Sequence, residues 1–250
     1  MRTKHMAKAF FVICAFLVWF PLSGFAEWKP YDNFDSGVID PTKWIKVEGP
    51  LRDPISVENG AAKFVINTSS YDSGWLKILK SPEKVKGIRA KVKISSQIPG
   101  VRVRIGGYIA EDASGNPVFT QIQLRTYQAS PSSFYQVVYS SSSVFDKADT
   151  NISIFDIFYG EFQKPLAGTW AAPVDLTDEW VTLEIRFDQN KLSYGLPDED
   201  NYLKNYMITE KFNKLTNEEF IFKGIGVRST TAAPKDDTCI VYFDDVYVLY

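Results

Sequence analysis

Period-two alternation is the feature that most narrows the folds open to this chain. Ile88, Ala90, Val92 and Ile94 alternate with Arg89, Lys91 and Lys93. Val101, Val103 and Ile105 alternate with Arg102 and Arg104, and Val181, Leu183, Ile185 and Phe187 with Thr182, Glu184, Arg186 and Asp188. A strand sends successive side chains to opposite faces, so each run predicts a strand with one buried face and one polar face. Turn signals lie between the runs: Glu58-Asn59-Gly60, Ser114-Gly115-Asn116-Pro117 and Asp188-Gln189-Asn190-Lys191. Helical periodicity is nearly absent, and only residues 201–219 read as a short helix or a long loop. The spacing predicts about a dozen strands with short connections, which suits two packed antiparallel sheets.

The first 26 residues read differently. Arg2, Lys4 and Lys8 precede the apolar run Ala9 to Phe20; Pro21 breaks the run, and Gly24-Phe25-Ala26 places small residues where a signal peptidase cuts. The run falls short of the ~20 residues a membrane-spanning helix needs. The expectation is a cleaved signal peptide over 1–26, export to the periplasm or the cell exterior, and no membrane span after cleavage. Residues 27–250 then form a single β-sandwich domain, since sandwiches reach this size. Loss of Arg2, Lys4 and Lys8 leaves 25 Lys and Arg against 30 Asp and Glu, an acidic balance that offers nucleic acid no electrostatic footprint.

Cleavage also removes Cys14 and His5, the only histidine. Cys239 is then the sole cysteine, so no intrachain disulfide forms. Without imidazole, a Ser-His-Asp or Cys-His nucleophile and a His-ligated zinc are excluded. Any catalysis falls to carboxylates, Tyr, Lys or Arg.

Three patches carry a resemblance. Tyr31-Asp32-Asn33-Phe34-Asp35-Ser36-Gly37 followed by Asp40-Pro41-Thr42-Lys43-Trp44 resembles the opening of secreted concanavalin-A-like jelly rolls of the laminin-G and glucanase type. Trp180 to Ile185, with the turn from Asp188 to Lys191, resembles their late hairpin, and Val241-Tyr242-Phe243-Asp244-Asp245-Val246-Tyr247-Val248 their last strand. The resemblance implies an all-β, two-sheet antiparallel jelly-roll sandwich, with the opening Phe and Trp buried to pin the first strand.

Many enzymes of this fold are glucanases whose carboxylates lie on one strand in an E-x-D-x-x-E pattern, where alternate residues share a face and flank one glycosidic bond. No Glu of the mature chain has an Asp two residues later; Glu184-Ile185-Arg186 is nearest in form, with Arg in the Asp position. Gln121-Ile122-Gln123 resembles the "Q-I-H" strand of alginate-type lyases, another jelly roll, with Gln123 in place of His. Arg102, Arg104 and Arg125 would then neutralise a uronate, and Tyr127, Tyr135 or Tyr139 would take a proton. The C-terminal "Y-K-A-G-x-Y" segment of those lyases is missing.

Arg102, Arg104, Gln121, Gln123 and Arg125 face away from the apolar positions beside them. A row on the solvated side of an antiparallel sheet is polar in any case. As a site, the same row hydrogen-bonds sugar hydroxyls or carboxylates while Tyr127 and Tyr135 stack on pyranose faces. With the catalytic patterns missing, the leading expectation is a non-catalytic exported sandwich that binds polysaccharide, a cell-surface glycan or another extracytoplasmic partner on its concave sheet. The alternatives are a polysaccharide-active enzyme, lyase or glycoside hydrolase, working without His, and a structural module of a cell-surface complex. No organic cofactor is expected. Asp35, Asp244 and Asp245 are candidates for a structural calcium, an oxygen-only site, or else cap turns and bond to backbone.

Overall fold

The computed structural model describes residues 27–49, 51, 53–67, 72–96, 98, 100–112, 114–129, 132–142, 176–188, 191–197, 204–207, 213–229 and 238–250. The signal-like stretch 1–26 lies outside them. The alternating runs are strands: β1 (Trp28–Asp32), β2 (Trp44–Glu48), β3 (Ser56–Glu58), β4 (Ala61–Asn67), β5 (Ser73–Ile78), β6 (Gly87–Ile94), β7 (Val101–Glu111), β8 (Pro117–Ala129), β9 (Ser132–Ser142), β10 (Val181–Asp188), β11 (Lys191–Gly195), β12 (Lys204–Met207), β13 (Lys223–Ser229) and β14 (Thr238–Leu249). Among the described residues they form an eight-stranded sheet, β12-β11-β10-β6-β14-β4-β3 with β1 also on β14, and a six-stranded sheet, β2-β5-β13-β7-β8-β9. No α-helix occurs among these residues; the stretch read as helix or loop contributes β12 and a single 3-10 turn at Glu218–Phe220. No helix there is long and apolar enough to cross a membrane.

The two sheets meet through the positions the alternation marks. Ile88, Ala90, Val92 and Ile94 of β6, Leu183 and Ile185 of β10, Val101, Val103 and Ile105 of β7, and Ile122 and Leu124 of β8 are buried in one core. Strand β14 shows why register matters. Cys239, Val241 and Phe243 point inward, and then Val246 and Val248 do, so the parity changes between them. A β-bulge absorbs the extra residue: the pairing with β6 shifts between Asp244 and Tyr247, and Asp245 has φ 45°. The doubled Asp therefore stays out of the core while apolar residues on both sides of it enter.

The opening motif ties one sheet to the other, as the resemblance implies. Phe34 is fully buried and stacks on Trp44, ring centroids 6.0 Å apart, and Tyr31 meets Trp44 edge-on at 4.9 Å. Between them the buried Asp32 carboxylate accepts from Trp44 Nε1 at 2.7 Å and from the Phe34 amide at 3.1 Å, with Lys43 Nζ 3.3 Å away. Asp32 lies on β1 of the eight-stranded sheet and Trp44 on β2 of the six-stranded one, so this bond joins the layers.

Candidate functional site

The polar row predicted on β7 and β8 sits on the outer face of the six-stranded sheet, and the register extends it onto β5 and β13. Arg228 of β13 pairs with Ser73 of β5 and Arg102 of β7, which pairs with Arg125 of β8. One step along, Gly226 pairs with Trp75 and Arg104, and Arg104 with Gln123. Next, Gly224 pairs with Lys77 and Gly106, and Gly106 with Gln121. Beyond these, Phe222, Tyr108 and Phe119 pack with Trp75 as a second, aromatic core, Trp75 edge-on to Phe222 at 5.0 Å and Tyr108 to Phe119 at 5.2 Å.

Burial divides these rows. Arg102, Arg125 and Arg228 are partly exposed, whereas Arg104 retains 3% and Gln123 4% of their exposed surface. The guanidinium of Arg104 lies 4.3 Å from the Trp75 ring centroid, and its Nη2 donates to Ser73 Oγ at 3.0 Å and to the Val227 carbonyl at 3.4 Å. Gly226 makes that stack possible, because a Cβ there would stand 2.6 Å from the Trp75 ring. The Oε1 of Gln123 is buried with no hydrogen-bond partner. The reading of the row as ordinary solvated surface thus fails at its centre: an arginine and a glutamine are held out of water beside a tryptophan.

Tyr127 and Tyr135 were expected to stack beside this row. The backbone register sets Tyr127 opposite Phe134, on the same alternation as Arg125, and Tyr135 opposite Thr126, on the other alternation. The side chains of Tyr127, Tyr135 and Tyr139 lie outside the described residues. Trp75, Gly226 and Arg228 are the members sequence reading missed. Trp75 and Gly226 each lie in a run with apolar neighbours, and only the pairing of β5 and β13 with β7 brings them to Arg104.

No family model matches this sequence, and no curated protein matches it either. Solved structures do match in shape. An endo-acting O-glycanase from the human gut microbiota, described as initiating mucin breakdown, matches with a TM-score of 0.51 at 14% identity over 87% of this chain and 97% of its own. An immunostimulatory antigen and pseudo β-1,3-glucanase of Mycobacterium tuberculosis matches with a TM-score of 0.50 at 13% identity over 91% and 98%. The fold is the concanavalin-A-like jelly roll of the glucanases. The catalytic domain of a Thermotoga petrophila endo-1,3-β-glucanase (laminarinase) also lies near, with a TM-score of 0.49 at 13% identity over 90% and 99%. At such identities the likeness is one of fold.

The company this jelly roll keeps corrects the leading expectation. A non-catalytic binder was inferred from missing motifs, yet one structural neighbour is an endo-acting O-glycanase described as initiating mucin breakdown. That neighbour favours the polysaccharide-active alternative over the non-catalytic one. Absence of one sequence pattern was a weak basis, because a jelly roll can assemble catalytic groups from strands far apart in sequence.

Among the described residues the polar row holds no carboxylate. Alternate positions of β8 hold Gln121, Gln123 and Arg125, and no Asp or Glu occupies the rows just described on β5, β13, β7 and β8. Glu184, nearest in form to the glucanase pattern, is on the outer face of the eight-stranded sheet. It is fully buried, accepting from Arg89 Nε at 2.6 Å and Arg186 Nε at 2.7 Å, while Arg89 stacks 4.6 Å over Trp28. A carboxylate so paired holds strands together.

The calcium candidates have partners of their own. Asp245 pairs with Lys91 at 2.8 Å, Asp244 Oδ1 accepts from the Asp245 amide at 2.6 Å, and Asp35 accepts from Asn33 Nδ2 at 2.5 Å. Burial chiefly, then the charges of Asp245 and Asp35, raise the Asp244 carboxyl above its ordinary range. Among the described residues no three His, Cys, Asp or Glu side chains are grouped to hold a metal.

Proposed function

We propose that this chain is a polysaccharide-active enzyme that holds a glycan on the outer face of its six-stranded sheet, and that it works outside the cytoplasm, as the segment 1–26 suggests. The observation that carries the reading is the buried pair Arg104 and Gln123. An unpaired buried polar atom costs about 1–3 kcal/mol, so a chain that needed only a stable sandwich would place an apolar residue at position 123. A substrate hydroxyl donating to Gln123 Oε1 supplies the missing bond, and the stacked, immobile Arg104 fixes the direction of approach. Trp75, itself buried, backs the Arg104 guanidinium and holds it in that direction.

The test is to incubate the protein with a panel of neutral and acidic polysaccharides and follow the appearance of new chain ends. Cleavage of at least one of them is expected. Gln123→Leu should lower that activity at least tenfold while leaving the melting temperature unchanged or raised, since it removes an unpaired polar atom and keeps the volume. A variant that is stabilised and fully active would assign Gln123 to packing alone, and no cleavage of any polysaccharide would overturn the enzyme reading.

A further inference from the structure

Strand β2 forms one edge of the six-stranded sheet: among the described residues it pairs with β5 and with no other strand. Its ladder shows which backbone groups stay open. The Leu79 amide donates to the Lys43 carbonyl and the Gly49 amide to the Ser73 carbonyl, so the odd-numbered residues of this stretch turn their N–H and C=O toward β5. The amides and carbonyls of Trp44, Lys46 and Glu48 therefore point off the sheet. The Trp44 amide is taken by the Asp40 carbonyl, whereas no described group bonds to the backbone of Lys46 or Glu48. Proteins ordinarily guard such an edge with a lysine, a proline or a bulge. The pairing of β2 with β5 runs without a bulge, no proline lies in β2, and the charge of Lys46 is answered by Glu48 at 3.5 Å. Two large apolar side chains of this strand face outward beside Lys77 and Trp75: Ile45 is 46% and Val47 38% exposed.

We infer that β2 pairs antiparallel with β2 of a second copy of this chain, joining the two six-stranded sheets edge to edge about a two-fold axis through Val47. Charge selects the register. An antiparallel ladder sets open residue against open residue, so Lys46 stands opposite Lys46, or Glu48 opposite Glu48, or each opposite the other. Like charges directly opposite destabilise a sheet and opposite charges stabilise it. Only the third register, with Lys46 of each copy facing Glu48 of the other, carries no repulsion. Each such pair exchanges both backbone hydrogen bonds, and Val47 meets Val47 across the axis, where side chains of a strand pair come closest. Opposite residues share a face, so the outer faces bearing Arg104 and Gln123 lie on the same side of the joined sheet. Dimer formation of this kind needs no glycan.

Sedimentation equilibrium of the purified protein tests the pairing. A monomer–dimer equilibrium is expected, and Lys46→Glu or Glu48→Lys should each weaken it tenfold or more. The double reversal, Lys46→Glu with Glu48→Lys, should bring the affinity back to within threefold of the native value, which loss of the side-chain bonds to Ile55 does not explain. Lys46→Pro removes an edge-facing amide and leaves the ladder with β5 intact, so it should give a monomer with an unchanged circular dichroism spectrum. A native protein that stays monomeric at every concentration would overturn the inference. So would a dimer that the single reversals leave intact, or single losses that the double reversal does not restore.

Discussion

Lys223 is a buried cation. Only 7% of it is exposed; its Nζ donates to the Pro82 carbonyl at 2.8 Å and lies 5.4 Å from the Phe187 ring centroid. Burial pulls its pKa down from 10.5 to about 8. Between those values the unfolded chain keeps a proton that the folded chain gives up, so stability rises with pH across that window. Below it the folded protein bears a cost of about 3 kcal/mol for holding the charge inside. Lys223→Met is therefore expected to raise the melting temperature at pH 7 and to flatten its rise between pH 8 and 10; the Pro82 carbonyl still accepts from the Val85 amide. Thermal melts of both proteins across that range check this, and a lower melting temperature at pH 7 would show that the Pro82 bond outweighs burial. Phe34 and Trp44 were legible as core because large aromatics sit at motif positions. Arg104 and Lys223 were not, since a cation at either position reads as solvent-facing until its neighbours are known.

Strand β13 is the element on which the proposed site depends. Gly226 leaves room for the Trp75 ring over its Cα, and a Cβ there would also lie 2.5 Å from the Gly74 carbonyl. Gly226→Ala should cost about 1–3 kcal/mol as an overpacked position and displace Trp75, shifting tryptophan fluorescence to the red and lowering polysaccharide cleavage. Unaltered fluorescence and stability would mean that the sheet opens easily at this point. Strand existence and parity on β6, β7 and β10 were readable, because alternation is a property of adjacent residues. The bulge in β14 left a trace too: inward residues run odd to Phe243 and even from Val246. Beyond reach was the pairing of β13 with both β5 and β7, which joins residues more than a hundred positions apart.

At the scale of the whole molecule, the joined ends of the chain hold the acidic trio. Pairing of β1 with β14 brings Asp35 near Asp244 and Asp245. With its carboxyl raised by burial, Asp244 takes up its proton more readily folded than unfolded, so its contribution to stability falls as pH climbs above the ordinary carboxylate value of 3.8. Asp244→Asn keeps an oxygen for the Asp245 amide and should raise the melting temperature at pH 7, and excess chelator should leave that of the native protein unchanged. A drop on chelation, restored by calcium, would show that a cation relieves the trio.

By itself the sequence determined an all-β chain of two apolar-faced layers with one histidine and two cysteines, because composition and period-two alternation need no knowledge of distant partners. Tertiary structure alone decided which letters of the polar row leave water. Arg104 is buried by a tryptophan from β5 over a glycine from β13, and burial is a property of the neighbours that folding supplies.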